Sequence, residues 1–86
     1  MSLPVAKPVR VDPDPTVAGV EVSGTALRIM LSDGRELSAP LAWFPRLANG
    51  TSAQRAHWEL AGAGYGIHWP DLDEDVSVRA LMGRPT

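Results

Sequence analysis

The sequence predicts an α+β domain with an antiparallel β-meander over about residues 18–40, two or three short helices, and a further short strand near residues 66–69. Three observations carry this. Apolar residues fall at alternate positions through Val20, Val22, Leu27, Ile29, Leu31 and Leu37, the spacing of half-buried strands. Asp33-Gly34 interrupts that run with a strong hairpin signal, because glycine accepts the positive φ that a primed turn demands. Thr51-Ser52-Ala53-Gln54 matches a capping box, in which threonine satisfies an orphan amide and glutamine reaches back to the start of the helix.

Eighty-six residues suffice for one domain, read here as a Pro-rich extended arm over residues 1–17 and a single α+β unit over residues 18–86. With 44% apolar and 21% charged residues the chain lies in the range of folded globular proteins. It has no cysteine, hence neither disulfide nor thiolate metal site, so its stability rests on three tryptophans or on a partner subunit. A net charge of -2 argues against a nucleic-acid binder working through bulk electrostatics. No apolar run approaches the roughly 18–20 residues of a membrane span, and no signal-peptide pattern opens the chain, so a cytoplasmic location is expected.

In the arm, Pro4, Pro8, Pro13 and Pro15 each remove a backbone donor, while Val5, Val9 and Val11 leave room for a short edge strand. The strands around Val20–Val22 and Leu27–Leu31 meet at a tight turn on Gly24-Thr25; a third runs from Arg35 to Ala39, and Pro40 ends the ladder. Pro45 suits the first turn of a short helix ending at Asn49-Gly50. The helix opened by Thr51 is expected to run to Glu59 or Leu60. Gly62, Gly64 and Gly66 then mark a bend or a close backbone approach; they lack the strand-then-helix context of a phosphate loop. Alternation over residues 66–69 turns Ile67 and Trp69 toward the core and His68 away. Val76, Val78, Leu81 and Met82 form a last apolar stripe, read as a helix capped by Asp75 or Ser77, or as a strand through Val78 followed by one helical turn.

The chemistry-bearing stretch is Gly66 to Asp75. Asp71, Asp73 and Asp75 match the first three ligand positions of a calcium loop, yet Val76 stands where that loop requires glycine and Met82 where it requires glutamate. The acids fit better as charge complement to the start of the last helix. His57 and His68, each followed by tryptophan, could join one carboxylate in a metal set or act as acid and base, although no close-spaced histidine pair requires it. The serines sit outside any nucleophile-elbow context, and the residues require no cofactor. Arg46 and Arg55 flank the loop at Asn49-Gly50 and could pair with the acidic run or with a partner's carboxylate or phosphate.

Leu31-Ser32-Asp33-Gly34-Arg35, the segments Pro40–Leu47 and Gln54–Leu60, and Gly66–Asp75 together resemble the bacterial domain of unknown function 2442 family, over residues 18 to 83. The resemblance implies a small α+β domain, found alone or joined to a helical DNA-binding-like domain, some members being encoded beside toxin-antitoxin-like partners. It supplies no catalytic residues. The first reading is therefore a non-enzymatic protein-interaction or regulatory module, antitoxin-like by the resemblance, whose partner is another protein or a second copy of the chain. Its contact candidates are Trp43, Phe44, Arg46, Arg55, His68, Trp69, Asp71, Asp73, Glu74 and Asp75. A metal-assisted or acid-base enzyme using His57, His68, Asp71, Asp73 and Asp75 is the alternative; a DNA-binding accessory with a basic face on Arg28, Arg35, Arg46 and Arg55 is the third.

Overall fold

The computed structural model describes residues 13–83. Two antiparallel three-stranded meanders follow one another along the chain. The first comprises β1 (Val17–Val22), β2 (Ala26–Leu31) and β3 (Glu36–Pro40). Two short helices, α1 (Pro45–Ala48) and α2 (Ser52–Ala56), lead to the second: β4 (Glu59–Ala61), β5 (Gly66–Trp69) and β6 (Glu74–Ser77). One turn of helix, α3 (Val78–Leu81), follows. Residues 1–12 of the expected arm, with the edge strand on Val5, Val9 and Val11, lie outside the described residues. Its last residue, Val17, is already a strand and core residue.

Alternation fixes the register of the first sheet. Leu27, Ile29 and Leu31 are buried. Val22 pairs with Leu27, Val20 with Ile29, and Ile29 in turn with Leu37, so one apolar face runs across all three strands. On the opposite face Arg28 reaches Glu21 and Glu36, each at 3.1 Å. Ala18 is an extra residue in β1, where the register shifts between Val17 and Gly19. That bulge lets Val17 enter the core despite the change of phase.

The turns follow the sequence in place more than in chemistry. At Asp33-Gly34 only the glycine has a positive φ (92°), and Gly34 N donates to the Leu31 carbonyl. This is a three-residue connection with glycine in the left-handed position, not the primed turn expected. Asp33 stabilises it by accepting from the Arg35 amide (3.1 Å) and the Arg35 Nε (2.8 Å). At Gly24-Thr25 the organising group is the Ser23 hydroxyl, which accepts from the amides of Thr25 and Ala26.

The capping box closes as its spacing predicts. Thr51 Oγ1 accepts from the Gln54 amide at 3.1 Å and Gln54 Oε1 accepts from the Thr51 amide at 2.9 Å. Because α2 buries no side chain, the cap matters more than usual. Thr51→Ala is expected to lower stability by about 1 kcal/mol, measured by urea denaturation. The helix itself stops at Ala56 and not at Glu59 or Leu60, because His57 leaves helical geometry (φ -94°, ψ 86°). Residues 59–61 gain instead by pairing with β5, Glu59 opposite His68 and Leu60 opposite Ile67. A helix of this length adds little by propagation, so ladder pairing outweighs it.

The acidic run also differs from its leading expectation. Asp71 and Asp73 lie in the turn after β5, and Glu74 and Asp75 open β6. They do not flank the start of α3, whose cap is Ser77 Oγ, accepting from the Ala80 amide at 3.3 Å. Asp73 adopts a positive φ (49°), which reverses the chain so that residues 74–77 pair with β5. The strand reading of this segment is the one observed.

Both sheets contribute to a single core: Val17, Leu27, Ile29 and Leu31 from the first, Ile67, Trp69 and Val76 from the second, closed by Leu41, Leu47 and Val78. Each buried aliphatic side chain is worth roughly 1.5–3 kcal/mol in transfer free energy. No helix among the described residues is long and apolar enough to cross a membrane.

Candidate functional site

Pro40 ends β3 and the chain makes a 3-10 turn, Leu41–Trp43, before α1. Leu41 and Leu47 are buried on either side, which fixes the segment and turns the intervening indole outward. Trp43 is 66% exposed, the largest apolar side chain so placed, while Phe44 is half-buried against the core. An exposed tryptophan on a segment anchored at both ends is an unusual use of about 200 Å² of apolar surface.

The acidic turn packs against the far end of this segment. Arg46, on α1, donates through Nη1 to the Asp73 carbonyl oxygen, with the Asp73 carboxylate 3.9 Å away. Leu72 lies so close to Gly50 that a Cβ there would stand 2.8 Å from Leu72 Cδ1. Arg55 does not reach the acids. Its Nε and Nη2 donate to the carbonyls of Leu47 (2.8 Å) and Ala48 (2.7 Å), satisfying the exposed end of α1. Trp69, counted among the contact candidates, is fully buried; its Nε1 donates to the Arg55 carbonyl at 3.0 Å, and it acts on the surface only by holding α2 against β5.

The histidines are placed by the second sheet. His68 faces outward from β5 between Glu59 and Asp75, its cross-strand neighbours, and its Nδ1 lies 2.7 Å from Asp75 Oδ1. His57 Nδ1 lies 2.7 Å from Asp71 Oδ2. An ionised carboxylate only accepts, so each imidazole donates through Nδ1 and leaves Nε2 as its second group. Each histidine thus has its own carboxylate, and the two-histidine, one-carboxylate set does not form. No group of three or more His, Cys, Asp or Glu among the described residues is placed to hold a metal ion. The pairs tie the residues before β4 to the acidic turn, and β5 to β6. Glu74 accepts from the Asp75 amide and pairs with Trp69 across the ladder.

Charge is segregated between the two sheets. Asp14, Glu21, Asp33 and Glu36 are each bonded to an arginine, Arg79, Arg28, Arg35 and Arg28 respectively. Hydrogen bonding to Glu36, then the charges of Glu36 and Glu21, raises the Arg28 pKa above its ordinary value. Glu59, Asp71, Asp73, Glu74 and Asp75 share the second half of the chain with Arg46, which bonds the Asp73 carbonyl and stands 3.9 Å from its carboxylate, and with Arg55, which is given to main-chain oxygens. The Asp73 side chain is 90% exposed.

Two surface features were missed in the sequence. Leu60 is 52% exposed because the segment read as helix is an edge strand reaching beyond the core. A groove of about 230 Å³ opens between β1 and α2, lined by Val20, Val22, Arg55, Ala56 and Trp58. The His-Trp-Glu-Leu-Ala run fits both helical and strand spacing, which is why neither was visible.

Comparison with known proteins adds fold and family. No curated protein matches the chain. A crystal structure of a protein of unknown function from Rhodospirillum rubrum is similar, with 30% identity, a TM-score of 0.66, and coverage of 80% of this chain and 86% of that one. A solution structure of an uncharacterised structural-genomics target from Chromobacterium violaceum shares the fold at 24% identity and a TM-score of 0.67, covering 83% of this chain and 69% of that one. The model of the family described as protein of unknown function DUF2442 matches residues 17–84, essentially both meanders and all that joins them, and the chain belongs to that family.

Proposed function

We propose that the chain is a non-catalytic protein-docking module, regulatory or antitoxin-like in kind, whose contact surface is Trp43 with the adjoining acidic turn. The observation that carries this reading is the exposed indole held between buried Leu41 and Leu47. Burying it in a partner's pocket would regain apolar transfer energy without ordering a loop first. Tryptophan anchors of this kind dominate interface energetics, at about 2 kcal/mol or more each. The remaining chemistry fits a scaffold: the imidazoles brace the second sheet, and the arginines proposed for a basic face are spent on internal acceptors.

Trp43→Ala tests the reading. Its thermal stability is expected to stay within about 0.5 kcal/mol of the wild type, as for a surface substitution. In capture experiments from the native host, a partner retained by the wild-type chain is expected to be lost from this variant. Retention of the same partner at equal yield would overturn the assignment.

A further inference from the structure

The second sheet carries a pocket that does not include Trp43. Cross-strand pairing sets Ala61, Gly66 and Ser77 side by side, on the face of the sheet that also carries His68. Gly66 has no side chain, so this row sinks at its middle into a pocket of about 300 Å³, walled by Ala61 and Val76 and rimmed by Tyr65, Asp75 and Arg79. A Cβ on Gly66 would crowd the Val76 carbonyl oxygen, at 3.3 Å. The chain upstream of β1 arrives at the same rim. Asp14 takes two hydrogen bonds from Arg79, from Nε at 2.8 Å and from Nη2 at 2.6 Å, and this guanidinium lies 4.2 Å over the Tyr65 ring. Two residues further on, Thr16 packs so near Gly64 that a Cβ there would stand 3.3 Å from the threonine side chain.

We infer that the pocket takes the chain's own N-terminal segment, with Val9 and Val11 against the apolar wall and Lys7 reaching Asp75. Reach allows it. Val11 and Val9 lie three and five residues before Asp14, so an extended chain carries them up to about 10 and 17 Å from the Arg79 rim. The chemistry matches as well. In an extended segment residues 7, 9 and 11 share one side, which presents one cation and two aliphatic side chains to a pocket with an apolar wall and one carboxylate on its rim. Residues 1–12 hold Lys7 and Arg10 against Asp12 alone, whereas the chain as a whole has a net charge of -2. The tether makes docking intramolecular, with an effective concentration on the order of millimolar, and Pro4, Pro8 and Pro13 leave the segment fewer conformations to lose. The groove between β1 and α2 is the competing seat, but the bond from Arg79 to Asp14 leads the chain toward α3 instead. This inference does not depend on docking through Trp43.

The chain has no cysteine, so Ala6→Cys gives a single attachment point for a nitroxide in the whole chain. In the isotope-labelled, nitroxide-bearing protein, NMR is expected to show paramagnetic loss of the Gly66, Val76 and Ser77 amide signals, with those of Val20, Val22 and Ala56 retained. Unbroadened signals at Gly66, Val76 and Ser77, or losses centred on the groove beside α2, would overturn the inference. Mixing nitroxide-bearing chain without isotope and isotope-labelled chain without nitroxide separates the copies. Loss of the same amides in that mixture would give the pocket to a second copy's segment and overturn the assignment. Adding Val9→Asp and Val11→Asp to the Ala6→Cys chain is expected to restore the Gly66, Val76 and Ser77 signals, while unmoved β2 amides report that the domain stays folded. Losses that persist in this variant would mean that the valines are not the contact, and the inference would fall.

Discussion

Trp69→Ala is expected to leave the chain without a cooperative thermal transition, followed by far-ultraviolet circular dichroism. Trp69 is the largest fully buried side chain and one of the core residues shared by the two sheets. Truncating a buried tryptophan costs about 3–5 kcal/mol in lost transfer energy and residual cavity. It also orphans the Arg55 carbonyl that accepts from Nε1 at 3.0 Å. A domain of this size without disulfides has about 3–5 kcal/mol to lose from a single core, so the effect matches the whole margin. Trp69→Phe, which keeps a buried aromatic ring but not the donor, is expected to fold with a lowered midpoint. A cooperative transition in Trp69→Ala shifted by less than about 1 kcal/mol would mean that the sheets do not depend on this side chain.

The second large effect is expected at Leu47. This residue is fully buried and is the sole buried side chain of α1, a helix of four residues that cannot persist by propagation alone. Leu47→Ala is expected to cost about 2–5 kcal/mol in urea denaturation, with an unchanged slope if the unfolded state is unaffected. Because α1 carries Arg46 and begins two residues after Trp43, the same variant should disturb the acidic turn. Amide shifts at residues 71–75 in the folded fraction would show it. A stability loss without those shifts would mean that the turn is held by the second sheet alone.

How far the molecule was legible depends on which forces act locally. The first meander followed from alternation because each of its strands has one apolar and one polar face, and Thr51-Gln54 was readable because a capping box is a contact between near neighbours. Residues 57–61 were misread because their helical and strand patterns are degenerate; only β5, four residues long, opening on glycine and followed by proline, decides between them. The acidic run was read toward the last helix for a related reason. Four carboxylates before an apolar stripe resemble a helix start, and the left-handed turn at Asp73 that redirects them has no strong residue signal. Within the candidate surface, the exposure of Trp43 and the burial of Trp69 could not be separated by composition. The alternation around Ile67 already favoured burial of Trp69, whereas the outward turn of Trp43 depends on Leu41 and Leu47 both entering the core.

The order of strands in the two sheets bears on how the chain reaches this structure. Every strand pairs with its immediate sequence neighbour, β1 with β2 and β2 with β3, then β4 with β5 and β5 with β6. Such pairings close short loops and carry little entropic delay, so each meander is able to assemble without waiting for the other. The shared core that holds Trp69 and Ile29 joins distant parts of the chain, as does the Arg79–Asp14 pair. Substitutions in that seam are expected to slow folding more than substitutions in the turns, as stopped-flow refolding would measure.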